Sequence, residues 1–206
     1  NNFKSDFTWQ VTNAHSIKTG FSFISYELEN IYHTIRNAFA GTSLEADQYK
    51  PIALSDSTVY SDVYLVKPKE RSFYIQDKFE KDEIVINLGL RYDAFDANTT
   101  YPSQRRNPVN ASTYYLKNNE GLDSLDSDGS LVIDASRMSS PIKSKIASQI
   151  SPRFGFAYQL GNVAVLHFSY GHFLQMPPMY SIYSNHSSII GPSDYSTTVG
   201  NANLAS

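Results

Sequence analysis

Three pairs of alternating segments, each joined by a short turn and separated from the next pair by a long polar connection, predict an all-β, antiparallel fold for this chain of 206 residues. The clearest segment lies in residues 83–102, EIVINLGLRYDAFDANTTYP. Ile84, Ile86, Leu88, Leu90 and Tyr92 occupy one parity there, and Val85, Asn87, Gly89, Arg91 and Asp93 the other. Successive side chains of a strand point to opposite faces, so one face of this strand is apolar and the other largely polar. In a soluble protein the apolar face packs on a core; in a transmembrane β-barrel it meets lipid and the polar face lines a lumen.

Composition narrows the choice. Hydrophobic residues make up 41% and charged residues 18%, which is globular rather than disordered. Fifteen tyrosines and 12 phenylalanines stand against a single tryptophan, an enrichment that strands and membrane-interface belts favour. The chain has no cysteine, which removes disulfides and thiolate metal sites. A net charge of -3 and the lack of a dense basic run argue against nucleic acid as a partner; KPKER at 67–71 reads as a solvated loop end. No apolar run is long enough for a transmembrane helix, but a β-barrel passes that screen because its strands are short and alternate.

Taken in order, the first pair has Phe7, Trp9 and Val11 alternating with polar residues, a turn at TNAH (12–15), then Ile17, Thr19, Phe21 and Phe23. The apolar parity changes by Tyr26 and Leu28, which predicts a bulge at 23–25. The second pair is SFYIQDKF, a turn at EKDE (80–83), and the stretch quoted above. The third is ISPRFGFAYQL, Gly161-Asn162, and VAVLHFSYGHFL; Gly-Asn between alternating runs is a hairpin signal. The hairpins run over about 5–33, 71–97 and 150–174, and the connections over about 36–68, 98–149 and 176–206. These connections are rich in Ser, Asn, Asp, Thr and Pro, and compact soluble domains rarely need three structureless loops of that length. Outer-membrane barrels do alternate short periplasmic turns with long extracellular loops. Phe79, Tyr92, Tyr158 and Tyr170 then fall where interfacial aromatic belts sit, although a soluble β-sandwich would place them at the edge of a core.

Catalytic and metal readings find little to rest on. His167 and His172 lie five apart in one strand and project to opposite faces, while His15, His33 and His186 fall in or near turns and loops. No G-x-S-x-G elbow is present, so no enzymatic role and no cofactor is expected. LDSDGS at 125–130 has Asp126, Asp128 and Gly129 but lacks the distal Glu of a calcium loop. Arg91, Asp93 and Arg153 are the candidate lumen-facing charges. Tyr114, Tyr115, Met176, Met179, Tyr180 and Tyr183, all in expected extracellular segments, are the candidate ligand or partner contacts.

Three phrases carry a family resemblance. RSFYIQDKFEKDEIVINLGLRYDAFDAN (71–98), ISPRFGFAYQLGNVAVLHFSYGHFLQMPPMYSIYSN (150–185) and TWQVTNAHSIKTGFSF (8–23) resemble barrel hairpins of TonB-dependent outer-membrane receptors. The resemblance is closest to Bacteroidota-type receptors carrying a carboxypeptidase-regulatory-like domain, and it covers about half the chain while the loops match nothing. It implies a barrel of 22 strands with a plug inside, a segment that engages TonB, and energy-coupled uptake of a small-molecule, glycan or peptide ligand. A surface lipoprotein is a further partner it allows. No plug is matched within 1–206, so the chain is expected to be about six strands and outer loops of a larger barrel, since about eight strands is the smallest closed form. A passive or structural barrel of porin or adhesion type, and a soluble β-sandwich binding module, are the alternatives.

Overall fold

The structure is a computed structural model and describes residues 1–190 and 198–203. Its elements in chain order are β1 (Asn2–Gln10), β2 (His15–Ser25), β3 (Leu28–His33), β4 (Ile35–Asn37), β5 (Pro51–Ala53), β6 (Ser61–Val66), β7 (Lys69–Lys81) and β8 (Ile84–Asp96). They continue with β9 (Thr100–Pro102), a 3-10 turn at Ala135–Arg137, β10 (Pro141–Lys143), β11 (Ala147–Leu160), β12 (Ala164–Gly171) and a one-turn helix α1 (Met179–Tyr183). Six of the strands form one antiparallel sheet in the order β1-β2-β7-β8-β11-β12. The sheet is open, with β1 and β12 at its edges.

Its strands run to 13 residues in β7 and β8 and 14 in β11, ample for a tilted strand to cross a hydrocarbon core. All three short turns lie at one end. Asp82, at φ 51°, and Gly161, at φ 59°, adopt the left-handed backbone that lets two of these turns be tight. Pro152 interrupts the alternation without breaking the sheet: its carbonyl accepts from His172 N (3.1 Å), just past the end of β12. The two polar groups of a strand residue face the same neighbour, so the missing N–H also falls on that short edge side and the ladder to β8 is intact.

The register sorts side chains cleanly. Phe73 of β7, Tyr92 of β8 and Ile150 of β11 share one row of one face; Leu88, Phe154 and Tyr170 share another, and Phe79, Ile86, Phe156 and Phe168 a third. This apolar face is bare: Leu88 is 54% exposed, Ile150 65%, Phe168 57% and Trp9 56%. Among the described residues no second layer covers it, so a soluble sandwich, which must bury such a face, does not describe this fold. The fold is a transmembrane β-barrel wall, not closed within this chain.

The buried side chains gather instead at the long-loop end, where Val66, Phe95, Ala97, Ile182, Tyr183 and Ala202 form a small core with Leu28, Tyr64, Tyr101, Met176 and Met179 against it. Two expectations are corrected here. The parity change after Phe23 is no bulge, because β2 pairs regularly through Ser25 before the chain leaves the sheet and β3 pairs with β6. The first connection is likewise not structureless: β3 with β6 and β4 with β5 make one antiparallel arm, joined through Thr34 N to Tyr60 O (2.7 Å).

The second connection is more ordered still. Residues 114–121, 122–129 and 130–137 are three eight-residue units whose backbones bond in a cycle. Leu116 N donates to Val132 O (2.9 Å), Val132 N to Ser124 O (3.0 Å), and Ser124 N to Leu116 O (2.8 Å). A second ring has Asn118 N on Leu122 O, Asp126 N on Ser130 O and Asp134 N on Tyr114 O, each at 2.8 Å. Each corner turns at an Asn or Asp whose side chain accepts a nearby backbone N–H, the turn chemistry these residues favour. The result is a three-sided ring on the β9–β10 stem.

On the polar face, Asp6, Gly20, Tyr74, Arg91 and Ser151 share one row across five strands. The Tyr74 ring crosses Gly20, and its hydroxyl donates to Asp6 Oδ1 at 2.5 Å. A Cβ on Gly20 would lie 2.5 Å from that oxygen and 2.7 Å from the backbone carbonyl of Ser5. Gly20→Ala should therefore destabilise the barrel by about 1–3 kcal/mol as overpacking does. Gly89→Ala, whose Cβ meets nothing nearer than 3.4 Å, should stay near wild type. Urea unfolding of the full-length protein in detergent micelles checks this; equal stability of the two variants would contradict the packing described.

Candidate functional site

The polar face carries the groups able to meet a solute, arranged in levels along the strands. Nearest the long-loop end stand Lys4, Ser22, Ser72, Asp93 and Gln149 in one row; the Asp6–Tyr74–Arg91 row follows, and the row of Lys18, Gln76, Gly89, Arg153 and Gly171 lies mid-strand. The structure places Arg91, Asp93 and Arg153 on this face together. Arg91 Nε donates to both carboxylate oxygens of Asp93 at 2.9 Å, two residues on along the same strand. The pair is half-buried and mutually neutralised. Lys4 and Asp6 form a second pair at 3.3 Å. Charge at the two outer levels is thus largely compensated.

The chain leaving β12 turns back over this face. The Phe173 ring lies over Gly171, where an added Cβ would come within 3.3 Å of it, and the Arg153 guanidinium is 5.0 Å from the ring centre. Leu174 and Met176 then close over a cavity of about 390 Å³ whose other walls include Lys4, Ser72, Tyr74, Arg91 and Asp93. Residues 172–178 are therefore an inner strap across the polar face. It leads to α1, anchored by Tyr183, whose hydroxyl donates to Ala97 O at 2.7 Å.

The six extracellular candidates separate on inspection. Tyr183 is fully buried and offers no surface to a ligand; its work is packing, and burial pushes its hydroxyl pKa well up. Met179 packs on the same core, and Met176 is shared between that core and the strap cavity. Tyr180 is 68% exposed. Tyr114 and Tyr115 both sit in the three-sided ring, Tyr114 under the Arg137 guanidinium (3.6 Å) and Tyr115 bridged to Ile133. The six do not form one site. The Asp6–Tyr74 contact and the cavity under the strap leave no local signal in the sequence, because each joins residues more than 60 positions apart.

No group of three or more metal-binding side chains occurs among the described residues. In the 125–130 loop Asp128 spends its carboxylate on Ser130, accepting from both the backbone N–H (2.9 Å) and the hydroxyl (2.6 Å), which lowers its pKa. His15 pairs with Asp77 (2.9 Å) near the short-turn end. Burial beside Tyr64 and Tyr183 lowers the pKa of His186, and Asp62 opposes the shift. The His186 Nε2 lies 2.5 Å from Thr99 Oγ1, tying the loop after α1 to the connection between β8 and β9.

The pH consequence follows from the sign of that shift. The unfolded loop takes up this proton near the ordinary histidine value of about 6.5, above the folded value, so stability present at neutral pH is lost as pH falls through and below that range. Protection of amides 97–99 and 181–186 from hydrogen exchange should drop between about pH 7.5 and pH 5, and His186→Gln should flatten that dependence. Equal pH dependence in the variant would assign the effect elsewhere.

The model of an outer membrane beta barrel domain family matches this chain over residues 1–206. No curated protein and no solved structure matches it.

Proposed function

The chain belongs to the outer membrane beta barrel domain family, and from that premise we propose that it forms wall and outer loops of a TonB-dependent receptor. Its place is the bacterial outer membrane. In this reading a ligand binds from outside, a plug in the lumen rearranges under force relayed by TonB, and the ligand crosses along the polar face. The observation that carries the proposal is the inner strap. Elaborated outer loops fold into a core at the rim and send residues 172–178 back over a charged cavity, an arrangement suited to capture rather than free diffusion. The receptor-like phrases at 71–98 and 150–185 support it, since they coincide with the β7–β8 and β11–β12 hairpins.

The partners are then outer-membrane lipid on the apolar face, the receptor's own plug and TonB, and a small-molecule, glycan or peptide ligand, with a surface lipoprotein as an outer companion. The exposed Tyr180 and ring residues such as Leu122 and Leu125 are the contacts this reading assigns to ligand or partner. No catalytic role is assigned to the chain.

Two experiments test the proposal. Ser127→Cys in the ring should label with a membrane-impermeant thiol reagent on intact cells, while Lys81→Cys beside the short turn should not; the reverse pattern would overturn the orientation. The full open reading frame should encode a plug and a periplasmic segment, and the purified full-length receptor should retain the periplasmic domain of TonB. An open reading frame without them, with a constitutively conducting protein in planar bilayers, would select the passive barrel.

A further inference from the structure

We infer that the middle level of the polar face is a subsite for anionic solutes, carboxylate or phosphate in character, with Arg153 and Lys18 as its two cations. The inference deepens the uptake reading by naming a substrate class, and it rests on that reading for the direction of travel only. The geometry begins with the rows. Lys18, Gln76, Gly89, Arg153 and Gly171 lie side by side on five strands. This level holds no carboxylate of its own, unlike the two levels above it, which carry Asp93 and Asp6. Lys4 is neutralised by Asp6, Arg91 by Asp93 and Lys78 by Glu80, whereas Lys18 and Arg153 make no ion pair among the described residues. They stand three strand spacings apart, roughly 14 Å between backbones, so a solute passing between them meets positive charge from both sides. Rings of Arg and Lys select anions in pores by the same electrostatics.

The surroundings suit the role. A hollow of about 680 Å³ opens beside Arg153, floored by Gly89, Gly155 and Gly171 and flanked by Gln76, Asn87 and Ser169. Gln76 Nε2 reaches Asn87 Oδ1 at 3.4 Å, so the amides leave further donors for a solute oxygen. Phe173 of the strap stands against the guanidinium at 5.0 Å and limits its swing, which lowers the entropy lost when an anion binds. At Gly155 the floor is flat by choice of residue rather than by steric need. A Cβ on Gly155 would find only Asn87 atoms, at 3.5 and 3.7 Å, so side chains at this position are tolerated by the backbone and intrude on the hollow alone.

Calorimetry of the purified full-length protein in detergent at low salt, with citrate and inorganic pyrophosphate as the probes, tests the assignment. At least one anion should bind, with affinity falling as salt rises. Loss of a charge-assisted contact in Arg153→Gln or Lys18→Gln should weaken binding about ten- to a hundredfold. Gly155→Leu should weaken it comparably with the charges untouched, and its unchanged heat-modified mobility on gels would show that the barrel still folds. Preference for citrate or for pyrophosphate identifies the anion class. Failure of both to bind wild type, or affinities unmoved by Arg153→Gln and Gly155→Leu, would overturn the subsite. Because no TonB is present, a negative result here leaves energy coupling standing, and loss of TonB retention leaves the subsite standing.

Discussion

Everything in this structure depends on the need to pair every backbone polar group inside a region without water. A strand in hydrocarbon cannot leave an N–H or carbonyl unmatched, so the sheet ladder must be continuous through the membrane and side chains alone mediate between lipid and lumen. The continuous pairing from β1 to β12 meets that requirement between the edges, and Pro152 is tolerated because its missing donor faces the end of a short strand. Once the ladder is set, the period of two leaves each residue only one choice of face. Leucine, isoleucine and phenylalanine accumulate on one side; glycine, serine, arginine and aspartate accumulate on the other.

A bilayer-facing sheet has no core beneath it, so the hydrophobic effect acts where the chain re-enters water. That is why the buried cluster around Tyr183 and Phe95 lies at the long-loop end. The loops are held there as a small aqueous fold: the antiparallel arm, the three-sided ring, and the strap that carries the outer core's geometry down into the lumen. The strap links the two environments, since Met176 touches the outer core and lines the charged cavity while Phe173 braces Arg153 deeper on the polar face. Movement of the loop core, through the His186 and Tyr183 contacts for example, is therefore positioned to alter the cavity.

The strand pairs were legible in the sequence because two-residue alternation is a local signal, and it survives without knowledge of any neighbour. Residues 84–93 announce their faces by themselves, and Gly161-Asn162 announces its turn. The break after Ser25 reads as a bulge in the sequence because a parity change has the same local signature whether a strand bends or leaves its sheet. Tyr183 has the sequence signature of a contact residue because an aromatic in a polar loop looks exposed; its partner, the Ala97 carbonyl, is 86 positions away. The ring had a signal that was available, with Asn118, Asp126 and Asp134 eight apart and Gly121 and Gly129 each three after a turn residue. Arg91, Asp93 and Arg153 were legible as polar-face charges by parity alone, but that two of them neutralise each other and the third does not required the register and the side chains.

The central claim, that the apolar face meets lipid and the polar face does not, is tested most directly by fluorescence quenching from lipid-borne quenchers. Single tryptophans at Leu88 and at Asn87, in a background where the one native tryptophan, Trp9, is replaced by Phe, report adjacent positions on opposite faces of β8. In the reconstituted full-length protein, strong quenching at position 88 and weak quenching at position 87 is the predicted result; equal, weak quenching at both would mean that the face bearing Leu88 is buried in protein, and would contradict the account.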